Sequence, residues 1–282
     1  MNIRRVIVCG AGTMGSGIAQ VAAQHGQETF LYDLSPEALE KAKTQVYGSW
    51  DGLVKKQRLP AEAAAAAQRR LHFTSDPACT QADLVIEAIV ERMDAKVGLF
   101  KTLGSSASAE TIFASNTSSL SIDAIQEALP FPERVIGLHF FNPAPLMKLV
   151  EIVAGRRTDP LIAPVLDDLL KTWGKVPVHC KDAPGFIVNR VARPYYLEAL
   201  QLAEEGGMDF ETIDRLAEAS GFKMGPFRLM DLIGNDINLA VSQSLYDACG
   251  HPLRFKPSPI QQAAVSRGDL GRKTGKGYYT YS

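Results

Sequence analysis

Apolar residues in this chain gather in short runs that break at glycines or polar loops and resume at helical spacing. The first run is Val6-Ile7-Val8-Cys9, of strand length, and it opens into Gly10-Ala11-Gly12-Thr13-Met14-Gly15. A helix follows over residues 16–25, with Gly26 as its stop. Residues 28–32 alternate as a second strand, and 36–58 and 60–70 read as two helices. That pair is too long for a minimal crossover and predicts a projecting helical arm. Strands are predicted at 73–74, 84–89, 111–115 and 135–141. The run 84–89, apolar but for Glu87, suits a parallel sheet covered on both faces. Asn142-Pro143-Ala144-Pro145 turns the chain into a strand over 146–153. A helix over 158–174 and a short strand at 176–178 come next. After Pro184-Gly185 the pattern is nearly pure helix, at 186–205, 210–220, 226–248 and 260–268, with Arg193-Pro194 as a kink in the first.

The glycine stretch narrows the fold. In a strand–turn–helix setting, Gly10 permits the tight turn, Gly12 lets backbone approach a pyrophosphate, and Gly15 lets helix pack on strand. The helix N-terminus offers N–H groups and a positive dipole end to an anion. Asp33 closes the second strand, where a carboxylate accepts ribose hydroxyls and repels the extra phosphate of NADP. Asp33 also suits a cap for the next helix. The expectation is an α/β Rossmann-type N-terminal domain over residues 1–183 with a helical-arm insertion, then an all-α C-terminal domain over 184–282. NAD is the expected cofactor.

Composition removes other classes. The 282 residues are 46% hydrophobic and 22% charged, with a net charge of −1, so no global field draws nucleic acid or an anionic membrane. No apolar run approaches the ~20 residues of a membrane span. Cys9, Cys79, Cys180 and Cys249 are scattered without metal spacing, so no metal is expected. With the first strand expected within a few residues of Met1, no leader is expected, and the default expectation is a cytoplasmic enzyme.

Candidate chemistry falls at strand ends. Glu91 follows the strand at 84–89, with Lys96 on the next helix; both also suit a plain surface. Asn116-Thr117-Ser118-Ser119 is a polar cluster after the strand at 111–115, and Ser121 or Asp123 would cap the following helix without it. If 135–141 and 146–153 pair as a hairpin, His139 lies opposite or diagonal to Glu151, with Cβ atoms ~5 Å apart. A carboxylate beside an imidazole orients a general base, but a histidine satisfied inside a core fits the same pattern. Ser49, Lys55, Lys56 and Arg58 lie along the arm as a charged face. The tail Gly271-Arg272-Lys273-Thr274-Gly275-Lys276-Gly277 lacks a strand-then-helix setting and reads as structural.

Taken together, these motifs resemble the L-3-hydroxyacyl-CoA dehydrogenase family, and within it the short single-function bacterial type acting on 3-hydroxybutyryl-CoA. The blocks that carry the resemblance run from the glycine loop through Glu87-Ala88-Ile89-Val90-Glu91, Ser115-Asn116-Thr117-Ser118-Ser119 and His139-Phe140-Phe141-Asn142-Pro143. They continue with Pro184-Gly185-Phe186-Ile187-Val188-Asn189-Arg190 and the Lys273 to Tyr278 tail. The resemblance implies His139 as general base, Glu151 as its partner, and Ser118 and Asn189 at the substrate's 3-oxygen. It implies Gly10, Gly12, Thr13, Met14, Gly15 and Asp33 on NAD, with Glu91, Lys96, Ser118 and Asn142 toward its nicotinamide half. Ser49 and Lys56 match positions that touch CoA on the arm. An acyl-CoA substrate and a homodimer through the C-terminal domain are implied too, with Asn189 bringing the site to an interdomain cleft. The rival readings are a gulonate-type sugar-acid dehydrogenase on the same scaffold and a non-catalytic NAD-binding structural protein.

Overall fold

The computed structural model describes residues 2–76 and 81–281, so Cys79 lies outside the described residues. The chain divides into two compact units, Met1–Ala183 and Pro184–Ser282.

The first unit is a sheet covered by helices. Its elements are β1 (Arg5–Cys9), α1 (Thr13–Gln24), β2 (Glu28–Tyr32), α2 (Pro36–Lys55), α3 (Ala61–Arg70), β3 (Leu71–Thr74) and β4 (Leu84–Glu87). There follow α4 (Met93–Gly104), β5 (Ile112–Ser115), α5 (Ile122–Glu127), β6 (Val135–Phe140), β7 (Leu149–Ala154), α6 (Ile162–Thr172) and β8 (Val176–Lys181). The strand order is β3-β2-β1-β4-β5-β6-β7-β8. Every neighbouring pair is parallel except β6–β7. Val6, Val8, Leu84, Ile86, Ile112, Ala114, Ile136 and Leu138 are buried in the core, which is why these strands read as near-continuous apolar runs. The order reverses beside β1, whose neighbours are β2 and β4, and the carboxyl ends there form the crevice where doubly wound sheets bind ligands.

Several boundaries differ from the pattern, each for a local reason. The first helix starts at Thr13, three residues early, because Gly12 in extended backbone already serves as its N-cap. The strand expected from 146 starts at Leu149, since Leu146 and Met147 both donate their N–H to the Pro143 carbonyl and close a turn. The helix expected from 158 starts at Ile162, because the Thr158 hydroxyl is used on the Val135 carbonyl at 2.7 Å. The insertion α2–α3 seats its apolar face. Its apolar stripe of Leu39, Ala42, Val46, Trp50, Ala64 and Ala67 is buried, and α3 packs on α1 and β3. Trp50 adds an indole N–H bond to Gln24 of α1 at 3.0 Å. An amphipathic helix pair with so complete a stripe has to bury it.

The second unit is helical: α7 (Val188–Glu204), α8 (Phe210–Ala219), α9 (Pro226–Ile233), α10 (Asn235–Ala248) and α11 (Pro259–Ser266). Tyr196, Leu200, Phe227, Met230, Leu245 and Phe255 form its core. The single helix expected over 226–248 is two, broken at Gly234, whose φ of 105° no helix accommodates. The tail is tied down by buried Asp231, which accepts from the N–H groups of Tyr278 and Tyr279, both at 3.0 Å, and from the Tyr281 hydroxyl at 2.9 Å. A Cβ on Gly277 would fall 2.0 Å from that carboxylate, so glycine is required where the tail crosses it.

Candidate active site

At the crevice, Gly10 has a φ of 104°, and a Cβ there would meet the Ala88 carbonyl oxygen at 2.6 Å. A Cβ on Gly15 would lie 1.8 Å from the Gly10 carbonyl oxygen. These two glycines are demanded by the protein itself. Gly12 is not: its φ is −72°, and a Cβ would meet nothing within 4 Å. The space beside it admits a ligand. The first turn of α1 has no acidic residue and no side-chain cap, so its N–H groups face a site suited to an anion. Thr13 is exposed and Met14 half-buried in that turn. Asp33 is anchored to the same loop. One carboxylate oxygen accepts the Ala11 N–H at 2.7 Å and the other the Ser35 N–H at 2.9 Å, while the half-buried group keeps an open edge. Glycine loop, uncapped helix and acid at the end of β2 fit a dinucleotide.

Along the same edge, β4 and β5 end at paired positions Glu87 and Ser115. Beyond them Glu91 gathers the next loop. Its Oε1 accepts from the Thr117 hydroxyl at 2.6 Å, the Ser118 N–H at 2.9 Å and the Ser119 hydroxyl at 2.9 Å. Burial alone would raise the Glu91 pKa, but the Lys96 ammonium and the bonds from Thr117, Lys96 and Ser118 outweigh it and hold the group below its ordinary value. Lys96 is 1% exposed, with Nζ 2.6 Å from Glu87 Oε1 and 3.1 Å from Glu91 Oε2. Its charge is committed to two carboxylates, so it shapes the site from within and presents no open ammonium.

β6 carries the imidazole. His139 lies directly opposite Glu151 on β7, with Nδ1 2.7 Å from Oε2, and the two are 6% and 1% exposed. A proton on Nδ1 donated to Glu151 leaves Nε2 as the acceptor nitrogen of the ring. Asn116 links this strand to the serine loop by accepting the Phe140 N–H at 2.8 Å. Ser115 pairs with Gly137 across β5–β6, so the loop with Ser118 and the end of β6 with His139 leave the sheet on one edge. Asn142 is exposed in the turn after β6. That turn packs on α1, where a Cβ on Gly17 would touch Pro145 at 3.0 Å. Buried Lys175 holds it from below, donating to the carbonyls of Ala144 and Met147.

The remaining candidates lie on the insertion and in the second unit. Ser49 accepts a bond from buried Gln20 of α1 at 3.0 Å, which ties α2 to the helix behind the glycine loop. Lys56 is exposed just past α2. Asn189 is half-buried in the first turn of α7, in the second unit. The sequence assigns no role to Glu87, Asn116, Lys175 or Gln20. Glu87 leaves a trace as an acid closing an otherwise apolar strand, and Asn116 as the first residue of the polar cluster.

Comparison with known proteins agrees with these blocks. Residues 5–183 match the family model described as 3-hydroxyacyl-CoA dehydrogenase, NAD binding domain, and 185–281 match 3-hydroxyacyl-CoA dehydrogenase, C-terminal domain. The 3-hydroxyadipyl-CoA dehydrogenase of Escherichia coli K12 is 47% identical over 100% of this chain, and the chain spans 60% of that relative's length. A probable 3-hydroxybutyryl-CoA dehydrogenase of Deinococcus radiodurans is 41% identical, covering 97% of this chain and 99% of its own. The crystal structure of (S)-3-hydroxybutyryl-CoA dehydrogenase from Ralstonia eutropha superposes with a TM-score of 0.95 at 38% identity, with 100% of both chains covered.

Proposed function

This chain belongs to the 3-hydroxyacyl-CoA dehydrogenase family, and from that premise we propose that it interconverts an L-3-hydroxyacyl-CoA and the 3-ketoacyl-CoA with NAD, on short chains such as 3-hydroxybutyryl-CoA. The observation that carries the reading is the buried His139–Glu151 pair on the same sheet edge as the Glu91–Ser118 loop.

Gly12 and the first turn of α1 would hold the pyrophosphate, Asp33 the adenosine ribose, and Glu91, Ser118 and Asn142 the nicotinamide half. When bound, NAD supplies the hydride acceptor at C3 of the substrate, and NADH the donor in reverse. His139 Nε2 takes the 3-hydroxyl proton in oxidation and returns it in reduction. Glu151, enclosed beside the ring, stabilises the imidazolium and fixes its tautomer. Ser118 and Asn189 donate hydrogen bonds to the 3-oxygen as negative charge builds there. Ser49 and Lys56 would meet the CoA moiety.

A homodimer through the second unit would give cover to exposed apolar side chains there, among them Val191 at 72%, Phe222 at 54%, Ile237 at 51% and Leu253 at 84%. Sedimentation at 30.6 kDa would contradict it. No helix among the described residues is long and apolar enough to cross a membrane.

The activity is tested by following NADH oxidation with acetoacetyl-CoA, with free acetoacetate as a control, and NAD+ reduction with a free sugar acid. Turnover that needs the CoA moiety supports the reading. Turnover of the free acids alone favours the sugar-acid rival, and NADH binding without turnover of any acyl-CoA favours the non-catalytic one.

A further inference from the structure

The end of β4 buries a charge that the proposed chemistry does not use. Glu87 is 0% exposed. Its Oε1 accepts from the Ile89 N–H at 2.7 Å and from Lys96 at 2.6 Å, and its Oε2 from the Ser115 hydroxyl at 2.7 Å. Three donors, one of them an ammonium, demand the carboxylate form. On its other side Lys96 meets Glu91, whose side chain is 37% exposed. One ammonium therefore stands between two carboxylates, and the cluster carries one net negative charge. Lys96 with Glu91 alone would have been neutral. An enclosed ion pair is seldom needed for stability, since apolar residues of the same volume serve as well or better. The second carboxylate has its clearest effect elsewhere: with Lys96 shared, Glu91 keeps excess negative charge on the open side of the cluster.

We propose that Glu87 is a positioning residue that acts through Lys96 to hold this cluster net negative and so favours binding of the oxidised over the reduced cofactor. The inference rests on the functional reading above, in which the nicotinamide half of NAD lies toward Glu91 and Ser118. The nicotinamide ring has a formal positive charge in NAD+ and none in NADH. A fixed negative charge nearby attracts the first and not the second, and with Glu87 and Lys96 enclosed the effect is weakly screened by salt.

The test is the ratio of two dissociation constants on the full chain. NADH binding is followed by its fluorescence, and NAD+ by displacement of NADH. In Glu87→Gln, Kd for NAD+ divided by Kd for NADH rises roughly tenfold, the size expected for one charge in a partly buried site. Glu87→Asp keeps the charge and returns the ratio to the wild-type value even where both affinities fall. If both constants change by one common factor in Glu87→Gln, Glu87 is only scaffold and the proposal is overturned. Should that variant not fold, Glu91→Gln withdraws the same charge from the open side, and an unchanged ratio there overturns the proposal equally. A wild-type protein that binds neither cofactor overturns the functional reading itself, before any ratio is measured.

Discussion

Nδ1 of His139 lies 2.7 Å from Oε2 of Glu151, and the two residues are direct partners across the single antiparallel pair of an otherwise parallel sheet. The antiparallel turnback is what lets one hairpin supply both base and orienter. It predicts a graded pair of variants. His139→Gln lowers turnover of acetoacetyl-CoA by ~10²- to 10⁴-fold, the range for a lost general acid–base, while NADH binding by fluorescence stays near wild type. Glu151→Gln lowers turnover less, because the ring stays held but its positive charge loses its counter-charge. Wild-type turnover in His139→Gln would remove His139 as the base.

The glycine loop separates a residue the fold needs from one the ligand needs. A Cβ on Gly12 meets nothing within 4 Å, so Gly12→Ala melts within a few degrees of wild type and binds NADH at least ~10-fold more weakly. A Cβ on Gly15 falls 1.8 Å from the Gly10 carbonyl oxygen, so Gly15→Ala loses about 3 kcal/mol or more of stability, or does not fold. Thermal melts beside NADH titrations check both. Undiminished NADH affinity in Gly12→Ala would show that no ligand approaches there.

Asp33 accepts the Ala11 N–H of the glycine loop with one oxygen and keeps an open edge. Asp33→Asn keeps the shape and removes the repulsion toward a 2′-phosphate. The ratio of kcat/KM for NADPH to that for NADH rises by ~10-fold or more. Steady-state assays with both cofactors measure it, and an unchanged ratio would leave Asp33 as a loop anchor only.

Glu91 has a pKa below its ordinary 4.5 because Lys96 and the Thr117 and Ser118 donors outweigh burial. A carboxylate with a depressed folded pKa adds stability that is complete above its unfolded pKa. That contribution is lost as pH falls through the folded value. Wild type should therefore exceed Glu91→Gln in stability at neutral pH, with the gap closing on acidification below about pH 4.5. Denaturant unfolding of both proteins from pH 7 to 3 follows it. A gap that is constant with pH would mean that Glu91 contributes shape and no charge.

Buried Asp231 collects two backbone N–H groups and a tyrosine hydroxyl from the tail, with the Asn235 amide at 3.0 Å as a further donor. Asp231→Ala leaves those donors enclosed without an acceptor. It should cost at least ~2 kcal/mol, read by denaturant unfolding. A loss within experimental error would mean that the tail is not held through this residue.

What the chain settles by itself is local. A run of Val and Ile broken by Gly-x-Gly-x-x-Gly admits few conformations, because φ at Gly10 and the close approach at Gly15 exclude side chains. Alternation of side chains along two strands separated by a short turn puts His139 and Glu151 on one face if the strands pair, opposite or diagonal, and the register that makes them direct partners is set by the fold. Other features depend on what packs from far along the chain. The stripe on α2–α3 does not record what covers it, and α1 and β3, from other parts of the chain, are what it packs against. Helix periodicity runs unbroken through Ile233-Gly234-Asn235, yet Gly234 takes a φ of 105° beside the tail's Lys273, and the Asn235 N–H donates to the Leu270 carbonyl. Glu87 and Glu91 are both acids near a strand end. Burial makes one a fixed internal charge and the other an open group, and burial is set by α4 and β5 closing over β4, which no spacing along β4 records.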